Sequence, residues 1–472
     1  MSIAIYLPDL IDYCYELIFL KWGLTRMLEM HFANMLEEVI GDKGLSLVEI
    51  EGIRDKTAIA HSQIHERKWE ELAFIDLVNQ DTADIKTIAG YVLESSDLFL
   101  LLGIGGSAMG PRAILEALQP MHNFRNKPKI FIYDNIDPQT LEAIIEIIDP
   151  HKAAVNVVSK SGNTAETVAS FMIFWAYFKK VLGNESAKKF IITTNPEGGI
   201  LRQIVKEQGL LSLPIHPSIV GRYSVLSPAG LLLPEIAGIN SDDLLLGAKD
   251  ILTKCSNAEL WENPAYLFST LLYLMCTKEK RTVNVMMPYA DGLKSMSEWF
   301  CQLWAESLGK LGLGITPYPA VGTTDQHSQL QLWMEGPEDK VVIFIRIIDY
   351  GSDVRIPKVF EKTEGFNLLS GLCLNDLISA AAKSTELALT NASKPNITIT
   401  IPVLDAYHVG QLFMFFELCT TFMGFLFGVN PFNQPWIEAG KNNIFGLLGK
   451  PGFQKQKEDI QRMAKDNICW KL

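Results

Sequence analysis

Two short segments of the chain combine residue types that suit the binding of an anion. The first, GIGGSA at residues 103–108, follows an apolar run and places Gly105, Gly106 and Ser107 where a helix should begin. Glycines at such a turn let backbone N–H groups and the positive end of the helix dipole approach an anion closely. We therefore expect this segment to lie at the site of a phosphate-bearing ligand.

The glycine segment taken alone is open to more than one interpretation. It matches a loose dinucleotide-binding fingerprint, with Asp134 at the end of the next predicted strand as the acid that would bind a ribose. It also suits a tight turn that binds no ligand. A Walker A loop is excluded, because Pro111 follows Gly110 where that motif requires lysine.

The second segment, SKSGNTAE at residues 159–166, favours a sugar phosphate over a dinucleotide. Asn163 followed by Glu166 could form a capping box, which would explain the segment by helix initiation alone. Capping does not require the other polar side chains that crowd this point, namely Ser159, Lys160, Ser161 and Thr164. With the free N–H groups of a helix, these side chains could donate to all the oxygens of a phosphate. A nicotinamide-dependent oxidoreductase has no evident use for them.

Both segments, together with DNIDP at residues 134–138, resemble the sugar isomerase (SIS) domain. Further motifs make the chain similar to the glucose-6-phosphate isomerase family over most of residues 98–450, whereas the first ninety residues carry little of the resemblance. In the family's order these motifs are GRYSVLS at 221–227, ENPAY at 262–266, QLWAESLGK at 302–310, GTTDQHS at 322–328, and NPFNQ at 430–434 followed by Lys441.

The resemblance implies an aldose–ketose isomerase, an intramolecular oxidoreductase that interconverts glucose 6-phosphate and fructose 6-phosphate in glycolysis and gluconeogenesis, without cofactor or metal. The reaction takes a proton from the carbon beside a carbonyl, forms an enediol, and returns the proton to the neighbouring carbon. Glu306 occupies the position of the family's base, and Arg222 is the candidate cation beside the developing enediolate. Outside this family, Glu306 could instead pair with Lys310 one helical turn away, and Arg222 could be an ordinary surface residue or carboxylate partner.

The resemblance also implies a second acid–base set that opens the sugar ring, formed by His327 and Lys441. An imidazole exchanges protons near neutral pH, and in the family this histidine reaches the active site of the partner subunit, which implies a homodimer. Gln302 and Gln434 would hydrogen-bond substrate hydroxyls. Outside the family context, His327 would be a hydrogen-bonded turn residue and Lys441 a solvated lysine.

Two places in the chain depart from the family's pattern. After NQP at 433–435 the chain has Trp436 and Ile437 where glycine and valine are usual, and Val220 stands where a second glycine is common before the arginine turn. The spacing to Lys441 is kept, so we expect that lysine to stay in place while the packing or substrate access beside it differs. Neither change removes a chemical group.

Two other functions compete with an isomerase. A non-catalytic SIS-domain sensor of sugar phosphates would keep the two anion segments but lack the acid–base residues of the second domain, all of which this chain has. The interpretation of the chain as a nicotinamide-dependent oxidoreductase depends on the loose glycine match alone. A metal-dependent isomerase is not indicated, since no histidine and carboxylate residues recur at ligand spacing.

The elements that must position these residues follow an α/β pattern. Short apolar runs alternate with helical segments at 98–106, 129–135, 154–160 and 189–195, and again, after a helical stretch at about 225–280, at 282–289, 314–322, 340–347 and 396–402. This rhythm predicts two doubly wound SIS-type sheet domains with a helical N-terminal arm and a helical C-terminal tail. We place the arm at 1–90, the two domains at 91–240 and 241–430, and the tail at 431–472. The apolar residues 406–429 should form a buried core helix rather than a membrane span.

Composition limits the partners and the compartment. The chain has 472 residues, 48% of them hydrophobic, and a formal net charge of −12, which argues against nucleic acid or an anionic membrane as partner. Seven scattered cysteines, none of them two residues from another, indicate reduced thiols in the cytoplasm. Residues 3–24 are apolar but contain charged side chains that a signal peptide would lack, so we expect an amphipathic helical arm: Asp9, Asp12, Glu16 and Lys21.

Overall fold

The computed structural model describes residues 27–360, 362–363 and 365–466. The amphipathic arm expected over residues 3–24 lies outside them. The ten β-strands within the described residues are β1 (Glu29–His31), β2 (Leu98–Leu102), β3 (Lys129–Tyr133), β4 (Ala153–Ser159), β5 (Phe190–Thr194), β6 (Leu211–Pro214), β7 (Val283–Pro288), β8 (Thr316–Pro319), β9 (Lys340–Asp349) and β10 (Asn396–Val403). Eight of these strands, β2 to β5 and β7 to β10, coincide with the predicted apolar runs.

The first sheet places the two anion segments side by side. Its strands are all parallel, in the order β3-β2-β4-β5-β6, with Leu102 at the end of β2 opposite Tyr133 and Val157. Strands β2 and β4 are buried along their whole length, as expected where helices cover both faces. The chain crosses from one side of β2 to the other between β3 and β4, so the loops after β2 and β4 meet at the switch point where doubly wound sheets bind ligands.

The second sheet has the order β1-β10-β9-β7-β8. Strands β7 to β10 are mutually parallel, as predicted, and β1 joins the edge antiparallel to β10, with Glu29 opposite Thr400. Strands β1 and β6 were not predicted; β1, with three residues, is too short to show a period. The part of the N-terminal arm that the structure describes is otherwise helical.

Helices surround and connect the two sheets. The α-helices are Glu37–Ile40, Leu47–Glu51, Arg54–His65, Ala83–Ser95, Gly106–Leu118, His122–Arg125, Pro138–Ile147, Ala165–Leu182, Ile200–Gln208, Pro228–Ile236, Ser241–Lys254, Pro264–Thr277, Lys294–Leu308, Thr324–Ser328, Leu330–Glu335, Phe366–Leu369, Leu374–Asn391, Ala406–Phe427, Pro435–Leu447 and Gln454–Asp466. Shorter 3₁₀ segments are Ala33–Met35, Gly41–Lys43, Glu70–Asn79, Pro150–Lys152, Gly183–Lys189, Gly221–Tyr223 and Asp291–Leu293.

The helix Ala406–Phe427 is the centre of the core. By length and hydropathy it could cross a membrane, but 94% of its most apolar 18-residue window is buried inside the protein. It packs against the helices Ser241–Lys254, Pro264–Thr277 and Lys294–Leu308. The prediction of a buried core helix is therefore confirmed, and the last of these neighbours is the helix that carries Glu306.

Candidate active site

Arg222 joins the 3₁₀ turn Gly221–Tyr223 to the helix Lys294–Leu308. Its side chain is buried, with 2% of the residue exposed. Nε donates to the Ser307 hydroxyl at 2.7 Å, and Nη1 donates to Glu306 Oε1 at 3.1 Å. The guanidinium therefore holds the predicted base and the residue beside it on one helix.

The same guanidinium also holds the loop that precedes the helix Pro435–Leu447. Nη1 donates to Gln434 Oε1 at 2.9 Å, and Nη2 donates to the carbonyl oxygens of Pro431 at 2.5 Å and Asn433 at 3.3 Å. Burial lowers the pKa of Arg222, and the nearby Glu306 carboxylate raises it. Because a guanidinium in a protein stays protonated, the result is a fixed, buried positive charge.

Both carboxylate oxygens of Glu306 have donors. The side chain is 14% exposed, Oε1 accepts from Arg222, and Oε2 accepts from Gln302 Nε2 at 3.1 Å. The alternative pairing with Lys310 is not formed, because Lys310 Nζ donates to the carbonyl oxygens of Ser307 and Asn430 instead. Glu306 is thus oriented by an arginine and an amide while part of its side chain stays exposed.

The glycine turn after β2 brings a helix N-terminus against these residues. Gly105 has φ 59°, and a Cβ there would lie 2.9 Å from Gln302 Nε2. A Cβ on Gly106 would lie 2.1 Å from the carbonyl oxygen of Gly221. A larger residue at Gly106 would push the helix Gly106–Leu118 away from the arginine turn, and one at Gly105 would displace the Gln302 side chain. The glycines therefore join the first anion segment to the Arg222 and Glu306 pair, and Ser107 lies half-buried in the first helical turn.

The hydroxyl-rich loop after β4 is ordered by its own side chains. The hydroxyls of Ser159 and Thr164 lie 2.9 Å apart, and Thr194 Oγ1 donates to the Ser159 carbonyl oxygen at 2.6 Å. Ser159 is buried, Lys160 and Thr164 are half-buried, and Ser161 is exposed. The loop thus lines the switch point beside the glycine turn with hydroxyl groups.

The alternative interpretation of Asn163 and Glu166 as a capping box is wrong. The helix begins at Ala165 with Thr164 as its N-cap, and the Asn163 side chain accepts from the Ile200 N–H at 3.0 Å. The reason is tertiary, since a neighbouring helix offers an unpaired N–H that competes for the asparagine oxygen. Asn163 therefore fastens the loop to the next helix rather than capping its own.

Asp134, the acid of the dinucleotide interpretation, is engaged elsewhere. Arg112 Nη2 donates to Asp134 Oδ2 at 2.7 Å. Both residues line a pocket of about 340 Å³ together with Gly105, Met109, Ser295 and Glu298. A ribose at this carboxylate would have to displace the arginine.

His327 and Lys441 lie in two other helices. His327 is exposed in the helix Thr324–Ser328, and within the described ranges of this single chain no hydrogen bond or ion pair joins its ring to another group. Lys441 is half-buried in the helix Pro435–Leu447. The Trp436 residue is 84% exposed, so its side chain lies largely in solvent rather than in the packing of that helix.

The structure thus brings together four of the predicted residues, Arg222, Glu306, Gln302 and Gln434. The groups that orient these four side chains were not predicted. Ser307 could have been found as the neighbour of Glu306 within its motif. The backbone carbonyls of Pro431 and Asn433 have no sequence signal, because every residue carries a carbonyl.

Known proteins resemble this chain over most of its length. Residues 80–450 match the phosphoglucose isomerase family. The chain is 38% identical over 457 residues to a glucose-6-phosphate isomerase from Carboxydothermus hydrogenoformans, covering 93% of this chain and 98% of the relative. It is 42% identical over 361 residues to one from Rubrobacter xylanophilus, covering 75% and 83%. The crystal structure of a glucose-6-phosphate isomerase from Chlamydia trachomatis has the same fold, with a TM-score of 0.78 at 21% identity over 94% of this chain and 92% of that chain. This chain belongs to the phosphoglucose isomerase family.

Proposed function

We propose that the protein is a glucose-6-phosphate isomerase that interconverts glucose 6-phosphate and fructose 6-phosphate. The observation that carries this proposal is the Glu306 carboxylate held 3.1 Å from a buried Arg222 nitrogen. The glycine turn beside them offers a helix N-terminus to a phosphate. A base, a permanent cation and an anion site are the three groups that an enediol mechanism requires.

In this mechanism Glu306 takes the proton from C2 of the open-chain aldose. The electrons of the broken C2–H bond form the C1–C2 double bond, and the electrons of the C1 carbonyl move to its oxygen. Arg222 stabilises that oxygen without giving up its own proton. The hydroxyl proton on O2 passes to O1, the electrons of that O–H bond form the C2 carbonyl, and Glu306 returns its proton to C1 as the C1–C2 double bond opens. The reaction is thereby balanced without an oxidant or reductant.

Gln302 is suited to hold a substrate hydroxyl. Its Nε2 donates to Glu306, whereas its Oε1 is buried and has no hydrogen-bond partner in the described part of the chain. A buried acceptor without a donor costs free energy, and a sugar hydroxyl at this point would remove that cost. We assign the same type of role to Gln434, whose Oε1 accepts from the same Arg222 nitrogen as Glu306.

The test is a coupled assay in which the product glucose 6-phosphate is oxidised by an added dehydrogenase. We expect purified protein to convert fructose 6-phosphate without any other additive. Calorimetric binding of fructose 6-phosphate without turnover would instead identify a sugar-phosphate sensor. Neither binding nor turnover would exclude both functions.

We expect the Thr164 hydroxyl to contribute to phosphate affinity. It lies at the N-cap of the helix Ala165–Leu182, 2.9 Å from the Ser159 hydroxyl. Thr164→Val keeps the shape but removes the donor, so KM for fructose 6-phosphate should rise about tenfold while kcat changes little. The matched control is Thr167→Val, whose buried hydroxyl has no partner in the described chain. An unchanged KM in the Thr164 variant would exclude this residue from phosphate binding.

We further propose a homodimer in which His327 acts in the partner subunit's site, with Lys441, on ring opening. Supporting this is the exposure of His327 in its own chain, where its ring has no hydrogen-bond partner in the described ranges. An imidazole left exposed on a short helix is free to enter a neighbouring cleft. A symmetric dimer would then complete two sites by reciprocal exchange.

Subunit mixing tests the exchange. A Glu306→Gln chain and a His327→Ala chain should each be nearly inactive as pure dimers. In their heterodimer, one site would combine the intact Glu306 of one chain with the intact histidine of the other. Random re-association of equal amounts should therefore restore about a quarter of wild-type activity. If each histidine acted in the site of its own chain, every site would lack either Glu306 or His327, and no activity would return.

We also propose the domain limits 91–240 and 241–430 and a cytoplasmic location. Each domain range contains the parallel strands of one sheet, β2 to β6 and β7 to β10. For the location, the supporting observation is that the cysteines within the described residues are free thiols: Cys255, Cys276, Cys301, Cys373 and Cys419. Free thiols persist in a reducing compartment.

A further inference from the structure

Lys310 lies just beyond the end of the helix that carries Glu306. Its Nζ donates to the carbonyl oxygen of Ser307 at 2.6 Å and to that of Asn430 at 2.7 Å. The backbone of Lys310 is also held, since its N–H donates to Leu313 and its carbonyl oxygen accepts from the same residue. The side chain thus bridges two segments that are 120 residues apart.

The segment that Lys310 holds is the loop that Arg222 also binds. Asn430 begins it, and its side chain accepts from the Phe432 N–H at 2.8 Å. The Phe432 ring is buried, with its centroid 5.0 Å from that of Tyr223 and 5.7 Å from that of Trp69. The loop supplies acceptors for Arg222 on both sides of this ring, at Pro431 before it and at Asn433 and Gln434 after it. Lys310 therefore holds the start of the loop, and Arg222 holds the residues that follow.

We propose that Lys310 is a positioning residue of this site. Lys310 ties the end of the Glu306 helix to the start of the 430–434 loop. It thereby keeps the Arg222 guanidinium within hydrogen-bond distance of the Glu306 carboxylate. It acts through Arg222 and the loop rather than on the reacting atoms. The inference rests on the proposed isomerase function and deepens it.

The charge of Lys310 should make this positioning depend on pH. Burial, and after it the positive charge of Arg222, lower the pKa of Lys310 to about 8, whereas Glu306 raises it. The loop 430–434 contains no titratable side chain. As pH rises through 8 the ammonium becomes an amine, and its bonds to the two carbonyls lose their charge assistance. We therefore expect kcat to fall with an apparent pKa near 8.

The experiment compares Lys310→Met, Lys310→Arg and a matched control in the full-length protein. The control is Lys280→Met, because Lys280 Nζ also donates to the carbonyl oxygen three residues before it, Thr277 at 2.7 Å, but is exposed and holds no second segment. We would measure kcat and KM for fructose 6-phosphate from pH 7 to 9.5, together with melting temperature.

Lys310→Met should lower kcat about tenfold or more with less than a threefold change in KM. Lys310→Arg should restore most of the activity and remove the alkaline limb near pH 8, because a guanidinium stays charged. Lys280→Met should match wild type. A folded Lys310→Met protein with wild-type kcat, or an unchanged alkaline limb in Lys310→Arg, would overturn the proposal.

Two further measurements test the proposal if Lys310→Met does not fold or if the wild-type protein shows no turnover. If Lys310→Met does not fold, the pH profile of Lys310→Arg decides. If the wild-type protein shows no turnover, the proposed function fails separately, and crystallography of Lys310→Met still tests the positioning. A structure with the bonds from Arg222 to Pro431 and Gln434 unchanged would count against Lys310.

Discussion

A Glu306→Gln variant is expected to lose about 10³–10⁴-fold in isomerase activity while it still binds fructose 6-phosphate. The amide has the size of the carboxylate and can accept from Arg222, so the contacts at Oε1 remain possible. It cannot, however, take a proton from carbon. The measurement is the rate at which solvent deuterium enters C2 of the sugar phosphate, followed by NMR beside calorimetric binding.

The control for Glu306 is Glu207→Gln on the helix Ile200–Gln208. Gln203 Nε2 donates to Glu207 Oε1 at 2.6 Å, the same i to i+4 arrangement that joins Gln302 to Glu306, but on an exposed surface. This variant should keep wild-type activity. Deuterium exchange at the wild-type rate in Glu306→Gln would show that another group is the base.

An Arg222→Lys variant is expected to lose about 10²–10³-fold in kcat, equivalent to about 3–4 kcal/mol of transition-state stabilisation. Lysine keeps the charge but cannot make the five hydrogen bonds of the guanidinium. The carbonyl oxygens of Pro431 and Asn433 would be left without this donor, so the melting temperature should fall as well. The measurements are kcat, KM and thermal unfolding.

The control for Arg222 is Arg202→Lys, which separates catalysis from stability. Arg202 is buried, and it also donates to a carbonyl and a serine, Asn195 at 2.9 Å and Ser212 at 3.1 Å, but outside the site. This variant should lower the melting temperature while kcat stays within about twofold of wild type. If both arginine variants lost kcat equally, the loss would reflect stability rather than transition-state binding.

The sheets were largely predictable from the sequence. A parallel strand is buried on both faces, so β2 with its five buried residues reads as one continuous apolar run. The chemical groups of the site were predictable for a different reason, because enediol chemistry requires a carboxylate and a cation and the motifs contain Glu306 and Arg222. Family membership then confirmed the function that these motifs implied.

Tertiary structure decided which groups meet. Helical spacing permits Glu306 to pair with Lys310, yet the structure pairs it with Arg222, 84 residues away, and turns Lys310 to a carbonyl 120 residues further on. The Asn163 side chain likewise does not cap the helix that follows it but accepts from the Ile200 N–H. Residue types and local spacing thus determined the fold class and the chemistry. The hydrogen-bond partners were decided by packing. A buried donor must bond an acceptor that is close to it in the folded structure, and that acceptor can lie far away in the sequence.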